Sequence, residues 1–326
     1  MGTFLFRKKL LASGAYEFVT EKERPLLTGR RIGGMPIRPF RDEDTAAVVQ
    51  LSAACARAEA DFVLNPLWES EQELRAEFER HQITPQQHVL VAEGMSGEIL
   101  GLSGFLRFAG AREGGLLCPI VAKAERGRGL GGQLLRAGLD LGRKLGIGLA
   151  TAGLGTRNRA GFALLTALGF RPVRQHFLMR CEAQPSAAPP PDFVVEGGGP
   201  EDAAAIHRLH LECGLAPRSE ADVARALADS HHAFAVARRG AELGAFVELD
   251  THWPRRPWVS FVGVSPAHRD HGLGSALTAW ALAQRFEAGA TSALLALSPA
   301  NRTALRAYEK VGFRLHRVFD VLERGL

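Results

Sequence analysis

The second half of the chain has a regular succession of apolar segments separated by polar turns. Three consecutive segments are rich in branched and aromatic residues, which predicts three consecutive strands: His232–Ala237, Leu243–Leu249 and Trp258–Val264. The positions after them alternate between helical and strand spacing, which predicts a helix, a strand, a helix and a closing strand: Ser275–Phe286, Ser292–Leu297, Arg302–Val311 and Phe313–Leu322. This order predicts a mixed α/β domain built around one sheet.

Three short motifs occur twice, always 143 residues apart. RGRGLG at 126–131 matches RDHGLG at 269–274, NR at 158–159 matches NR at 301–302, and LGF at 168–170 matches VGF at 311–313. A constant separation across more than 40 residues predicts duplicated domains. Farther upstream the matching segments Asp42–Asp44 and Glu201–Asp202 are 158 residues apart, so the first copy has 15 more residues before its glycine loop. We place this surplus in 65–87, where ESEQELRAEFERHQ predicts an added or longer helix.

The segment EAQPSAAPPPD at 182–192 separates the two copies. Three consecutive prolines favour an extended linker, because proline cannot continue a helix or a central strand. The predicted domains are therefore residues 35–181 and 193–326. Residues 1–34 fit neither copy, and an N-terminal extension and a start placed too early both stay open.

Composition excludes several classes of function. The chain has 326 residues, 46% of them apolar, yet no run of 18 apolar residues occurs and the N-terminus is a poor match to a secretory signal. A net charge of +5 without a basic block does not indicate nucleic-acid binding, although it suits a small anionic ligand. The four cysteines are widely spaced, which predicts buried apolar residues and no metal site. We expect a cytosolic protein without a membrane partner, and its oligomeric state stays open.

A glycine loop follows the third predicted strand of the second copy. Glycines permit positive φ and let a ligand approach the backbone, and the free amides of the following helix favour a phosphate or pyrophosphate. Arg269 and His271 add positive character. Taken by itself the loop is a weak signal, and a tight turn without a ligand explains it equally well. A Rossmann interpretation is weaker, because Leu277 stands where the third glycine is expected.

Two motifs together are more specific. The first is RxxGxG preceded by VxP, and the second, some 27 residues later, is NxxAxxxYEKxGF. With these motifs the chain resembles the GCN5-related N-acetyltransferase (GNAT) family across 193–326 and, less fully, 36–181. The resemblance implies two tandem acyl-CoA N-acyltransferase domains that use acetyl-CoA and no metal. The implied cofactor-binding residues of the second copy are Val264, Arg269, Asp270, His271, Gly272, Leu273, Gly274, Ser275 and Asn301. Those of the first copy are Val121, Arg126, Gly127, Arg128, Gly129, Gly131, Gly132 and Asn158.

The resemblance also implies a catalytic acid. Attack of an amine on a thioester expels a thiolate, and Tyr308 is at the position that protonates it in the family. The splayed strand Trp258–Val264 would bind the pantetheine arm, and its backbone donors could polarise the thioester carbonyl. The alternative is that Tyr308 is only a packed residue of an amphipathic helix.

The first copy lacks this acid. Leu165 stands at the position of Tyr308, and Thr166-Ala167 replaces Glu309-Lys310. Two interpretations stay open: the first copy still binds acetyl-CoA and forms part of a substrate pocket, or its glycine loop persists only because the turn needs glycine.

The general base is the least defined part of the predicted site. The strand before the glycine loop, PWVSFVGV at 257–264, contains no acid. Glu248, acting through water, is the first candidate, and Asp250 and His252 are the others; each could equally be a solvated surface residue. The loop 253–258, WPRRPW, could favour an acidic acceptor, or it could be a turn anchored by a partly buried tryptophan.

These features predict acetyl transfer from acetyl-CoA to a primary amine, by direct attack in a ternary complex. Small-molecule amines, amino acids, aminoglycosides and peptide N-termini all stay open as acceptors. The two-domain layout is similar to that of the mycothiol synthases, which acetylate an amino-sugar conjugate. The alternative is a non-catalytic acyl-CoA-binding or sensing protein.

Overall fold

The computed structural model describes residues 30–32, 35–107, 112–186, 190–216 and 218–326, and the predicted extension 1–34 lies almost entirely outside these residues. No helix in these ranges is long and apolar enough to cross a membrane. The chain forms two compact units. The first unit contains the described residues up to Gln175 together with Phe319–Leu326, and the second unit contains His176–Val318.

The first unit contains the first repeat. Its strands are β1 (Arg30–Ile32), β2 (Met35–Pro39), β3 (Val89–Glu93), β4 (Ile99–Arg107), β5 (Glu113–Val121), β6 (Leu149–Gly155) and the first part of β7 (Arg171–Cys181). Its helices are α1 (Thr45–Arg57), α2 (Glu71–Arg80), α3 (Pro85–His88), α4 (Leu130–Lys144) and α5 (Arg159–Ala167). Strands β1 to β6 follow one another in the sheet, antiparallel except for the parallel pair β5 and β6.

The second unit repeats this plan. Its strands are β8 (Val194–Gly197), β9 (His232–Arg239), β10 (Glu242–Asp250), β11 (Trp258–Val264), β12 (Ala293–Leu297) and the first part of β13 (Arg314–Gly325). Its helices are α6 (Ala203–Glu212), α7 (Glu220–Ala228), α8 (Leu273–Glu287) and α9 (Arg302–Val311). The sheet order is β8-β9-β10-β11-β12-β7, with only β11 and β12 parallel among these pairs. Both repeats are thus mixed α/β domains, as the sequence predicts.

The last strand of each repeat pairs with a strand of the other repeat. Phe177–Cys181 of β7 pairs with β12 in the second unit, and Phe319–Gly325 of β13 pairs with β6 in the first. The compact units therefore divide within β7 and within β13, whereas the predicted linker 182–192 separates the sequence repeats. Each repeat supplies the last strand of the other unit's sheet.

The sheet of the second unit has helices on both faces. Ala245, Val247 and Leu249 of β10 pack with residues of α8, including Leu277 and Leu282. On the opposite face, Leu243 and Phe246 pack with α6 and α7. The period-two alternation of β10 therefore separates the α8 face, which carries the glycine loop, from the α6–α7 face.

The surplus residues of the first repeat are divided among several positions, and they include the four-residue helix α3, which has no counterpart in the second repeat. Helix α2 has ten residues, and its counterpart in the second repeat, α7, has nine. The largest part of the surplus lies before α2, in a connection of thirteen residues, 58–70, where the second repeat has seven, 213–219. The expectation that ESEQELRAEFERHQ forms the added helix was wrong, because this segment forms α2, which has the counterpart α7 and is longer by one residue.

Candidate active site

Strands β11 and β12 touch at one end and then separate. Their only register pair is Trp258 with Leu294, next to the hydrogen bond from Leu294 N–H to the carbonyl of Pro257 (2.9 Å). In the connection between α6 and α7, described at 213–216, 218 and 219, no residue makes a backbone hydrogen bond to β12. The structure thus leaves a groove between β11 and β12, as the sequence resemblance implies for the pantetheine arm.

The glycine loop joins β11 to α8 at the open end of this groove. Gly272 caps the helix with a φ of 76°, and Ala276 N–H is the first amide to bond back, to the carbonyl of Gly272 (3.0 Å). The amides of residues 273–275 therefore have no acceptor within the helix, and no side chain caps them. This arrangement favours an anion, because the amides and the helix dipole act together.

The loop leaves little space beside its backbone. A Cβ at Gly274 would lie 3.1 Å from Val264 Cγ2, so a side chain at this position would press against β11. Exposed Arg269 donates from Nε to the carbonyl of Val264 (3.2 Å), which places its guanidinium beside the groove. Asp270 has a φ of 67°, where its counterpart Gly127 has 77°. The sequence-predicted loop residues 269–275 therefore lie together next to Val264.

Helix α9 brings Tyr308 to the same end of the unit. Ser275 Oγ in the first turn of α8 donates to the carbonyl of Ala307 (3.3 Å). Asn301 caps α9, with its Oδ1 accepting from Ala304 N–H (3.1 Å). The Tyr308 ring packs edge-on against Phe313 at 5.7 Å, and burial raises the pKa of its phenol. Tyr308 consequently keeps its proton at neutral pH, as an acid must before it acts.

The acidic candidates for the base are buried, and the interpretation as solvated surface residues was wrong. Glu248 is 1% exposed, and its two oxygens accept from Arg218 Nη1 and His232 Nδ1, the latter at 2.9 Å. Asp250 and His252 are also buried and form a close pair with each other. Glu248 can be this deeply buried because the guanidinium of Arg218, from another segment, compensates its charge.

The loop 253–258 is anchored, in agreement with the simpler of the two interpretations. Trp253 and Trp258 are both buried, and Arg256 lies over the Trp253 ring with its Cζ 4.8 Å from the centroid. Arg256 is itself only 4% exposed. The guanidinium thus packs within the loop and is not displayed at its surface.

Sequence reasoning missed His210 on α6. Its ring stacks on Phe246 at 5.0 Å and meets Phe261 edge-on at 4.6 Å, and neither ring nitrogen has a hydrogen-bond partner in the described structure. Burial lowers the pKa of His210 to about 4, so the ring is neutral at pH 7. The sequence offered no distinguishing signal, because a histidine on an apolar helix face is common.

All four cysteines are free, and three of them are buried as predicted. Cys213 is half-buried, and its thiol donates to the carbonyl of Val264 at 3.3 Å, beside the groove. No group of three or more His, Cys, Asp or Glu side chains suited to a metal ion occurs in the described residues.

The first repeat has the same loop without the tyrosine. Gly127 and Gly129 have φ of 77° and 85°, and α4 begins at Leu130 without a side-chain cap. Arg128 pairs with Glu125 at 3.1 Å. Leu165, at the position of Tyr308, is 1% exposed and fills the space with an apolar side chain that has no proton to donate.

The chain was compared with known families and structures. The profile of the acetyltransferase (GNAT) family matches residues 46–170 and 203–313. The comparison with curated proteins gave no match.

Solved structures of similar fold include one that is described as a tandem GNAT protein. A GCN5-related N-acetyltransferase from Sphaerobacter thermophilus is 19% identical, with a TM-score of 0.72, over 89% of this chain and 95% of that one. A tandem GNAT protein from the clavulanic acid biosynthesis pathway is 18% identical, with a TM-score of 0.66, over 89% and 98%. A glucosamine N-acetyltransferase region of a fungal β-N-acetylglucosaminidase is 16% identical, with a TM-score of 0.62, over 90% of this chain and 38% of that one.

Both repeats therefore match one family in sequence, and the fold agrees with tandem members of it. The duplicated profile match covers well over half of the 326 residues. The chain belongs to the GNAT acetyltransferase family, whose chemistry is acyl transfer from acyl-CoA to an amine.

Proposed function

We propose that the second repeat transfers an acetyl group from acetyl-CoA to a primary amine of a small-molecule or peptide acceptor. The groove between β11 and β12, which ends at the free amides of α8, is the observation that carries this proposal. The amides of 273–275 and the guanidinium of Arg269 suit the pyrophosphate, and the edge of β11 near Val264 suits the pantetheine amides. The acetyl group would then lie toward the closed end of the groove, near Trp258.

The proposed reaction is a direct displacement. The amine nitrogen forms a bond to the thioester carbonyl carbon, the C–S bond breaks, and the electron pair leaves on sulfur. Tyr308 donates its phenolic proton to the departing thiolate, and the amine loses one proton to a base. Burial keeps the phenol protonated at neutral pH, so the proton is present before the thiolate forms.

We propose that His232 accepts the proton that the amine loses and that Glu248 stabilises the protonated ring. Glu248 is opposite Phe261 in the β10–β11 register, on the α6–α7 face and close to the closed end of the groove. Because Arg218 and His232 occupy its two oxygens, the amine proton would reach His232 first, with Glu248 holding the charged ring. Replacing His232 by Gln should lower kcat while the Kd for acetyl-CoA stays unchanged; an unchanged kcat would eliminate this relay.

A calorimetric titration with acetyl-CoA tests the cofactor part of the proposal. The wild type should bind acetyl-CoA, and Gly274→Glu should bind at least tenfold more weakly, because the added carboxylate enters the anion site. Gly274→Ala is the matched control: it adds the Cβ near Val264 without a charge, and it should retain more affinity than Gly274→Glu.

A folded wild type that binds no acetyl-CoA would overturn the proposal. Once binding is established, amino sugars, amino acids and peptides with free N-termini can be screened by the release of free CoA thiol. A candidate acceptor must give acetylated product in proportion to the CoA released. Release without product would indicate hydrolysis and contradict amine transfer for that compound.

A further inference from the structure

The first repeat also has a groove between its parallel strands, but part of its own chain lies in it. Strands β5 and β6 pair over three residues, from Glu113 with Leu149 to Gly115 with Thr151, and then separate. The segment 61–65, DFVLN, which precedes α2, follows β6 past this point. Leu64 N–H donates to the carbonyl of Gly153 (2.9 Å), and Gly155 N–H donates to the carbonyl of Phe62 (3.0 Å).

The segment occupies the edge of β6 that β5 has left. Backbone groups alternate between the two edges of a strand with a period of two. Strand β13 occupies the other edge of β6 along residues 149–155, so the groups of Gly153 and Gly155 that bond to the segment face the β5 side. From the opposite wall, the amide of Cys118 in β5 donates to the carbonyl of Asn65 (2.8 Å). The segment thus bridges both walls of the groove.

Two glycines of β6 make room for this segment. A Cβ at Gly153 would be 2.6 Å from Leu64 Cβ, and a Cβ at Gly155 would be 3.1 Å from Phe62 Cβ. The positions 143 residues later are Ala296 and Ser298, so the second repeat carries side chains where the first has none. The fit between the segment and its groove is therefore specific to the first repeat.

Residues that correspond to the cofactor site hold the segment in place. Arg126 Nη1 forms an ion pair with the Asp61 carboxylate (2.9 Å), and Asn158 Nδ2 donates to the Asp61 carbonyl (3.0 Å). The Cys55 thiol donates to the same carbonyl at 2.8 Å. Three side chains from α1, the glycine loop and the cap of α5 thus converge on Asp61.

The counterparts of these side chains in the second repeat hold no equivalent segment among the described residues. Arg269 and Cys213 both approach the carbonyl of Val264, at 3.2 and 3.3 Å, and Asn301 is exposed. The connection 213–219, where it is described, sends no backbone hydrogen bond to β12. The same three positions therefore bind the segment 61–65 in the first repeat, whereas in the second repeat Arg269 and Cys213 contact the end of β11.

We infer that the segment 61–65 takes the place of a pantetheine arm in the first repeat, so that each chain binds one acyl-CoA, in the second repeat. The side chains of this segment are buried like those of a hydrophobic core: Phe62, Val63 and Leu64 are 0%, 2% and 3% exposed. The first repeat then serves the fold, and its Arg126 and Asn158 are anchors of the segment. This inference rests on the proposed function for the assignment of the second groove.

Hydrogen exchange of the full chain, with and without saturating acetyl-CoA, tests the inference. Peptides that cover 61–65 and 116–121 should be protected without ligand and should not change when acetyl-CoA is added. Peptides that cover 259–264 and 270–276 should exchange at least several-fold more slowly with ligand. A change of protection in 61–65 or 116–121 on addition of acetyl-CoA would overturn the inference. Absence of ligand protection in both repeats would overturn the proposed function.

Asp61→Asn provides a second measurement. Loss of the ion pair with Arg126 should lower the midpoint of thermal unfolding, whereas calorimetry should still give one acetyl-CoA per chain. Asp140→Asn is the matched control, because it removes a carboxylate from an exposed pair with Arg143 (2.7 Å) and should leave the midpoint unchanged. A second acetyl-CoA bound by Asp61→Asn would identify the segment as a displaceable lid and contradict the inference.

Discussion

A single methyl group at Gly153 should destabilise the first unit. In Gly153→Ala the new Cβ would lie 2.6 Å from Leu64 Cβ and 2.9 Å from Leu64 Cδ2. Carbon atoms in contact are separated by about 3.5–4 Å, so the segment or β6 must move by about 1 Å. Leu64 is 3% exposed, and its backbone amide donates a hydrogen bond to the carbonyl of Gly153. Neither the segment nor β6 can therefore move without disturbing other contacts. Overpacking of this kind costs about 1–3 kcal/mol.

Thermal unfolding followed by circular dichroism measures this cost. For a unit of this size each kcal/mol lowers the midpoint by about 2–4 °C, which gives a decrease of about 2–12 °C. Gly325→Ala is the control in the same unit: Gly325 is also in a strand, is exposed, and has no atom within 4 Å of the position of a Cβ. Equal midpoints for the Gly153→Ala and Gly325→Ala variants would refute the close packing of the segment against β6.

Three further predictions concern the second repeat. Tyr308→Phe should lower kcat by roughly 10²–10⁴-fold while the Kd for acetyl-CoA stays unchanged, because it removes the acid and keeps the packed ring; a kcat within about twofold of wild type would refute the acid role. Acetyl-CoA should slow alkylation of Cys213, the only cysteine that is not buried, because its thiol lies beside the groove; equal labelling with and without ligand would place the cofactor elsewhere. His210 has a pKa lowered to about 4, so the unfolded chain binds its proton more readily and stability is lost as the pH falls from about 6.5 toward 4. His210→Phe should therefore lose less stability than wild type between pH 7 and pH 4.5, by up to about 3 kcal/mol, in urea titrations at the two pH values; an identical loss would contradict the neutral buried ring.

Much of the second repeat could be predicted from local pattern. The predicted bounds of β11 and α9 agree with the structure, and those of the neighbouring elements differ by one to three residues. These elements have a clear period, and a glycine or an Asn cap marks where the helices begin. Helices α6 and α7 were not predicted, because no glycine loop or family motif marks them. The bounds of a strand are thus easier to predict than its partner: nothing in β7 or β13 indicates that their ends pair in the other unit.

The segment 61–65 shows why the groove of the first repeat could not be predicted. DFVLN is apolar without a period, and the family motifs around it are intact at Arg126 and Asn158. Those motifs retain their form because the residues now bind Asp61. One signal was available: the two glycines of β6, where the second repeat has Ala296 and Ser298, indicate a close approach of another chain segment. The burial of Glu248 was unpredictable for a similar reason, since Arg218 and His232 are distant in sequence.

In the assignment proposed here, the second repeat binds acyl-CoA, and the segment 61–65 takes the place of the cofactor in the first repeat. Native mass spectrometry of the full chain with excess acetyl-CoA counts the bound molecules directly. We expect a single acetyl-CoA per chain in the wild type and a much lower occupancy in Gly274→Glu at the same ligand concentration. Two molecules per chain, or equal occupancy in the wild type and Gly274→Glu, would contradict this assignment.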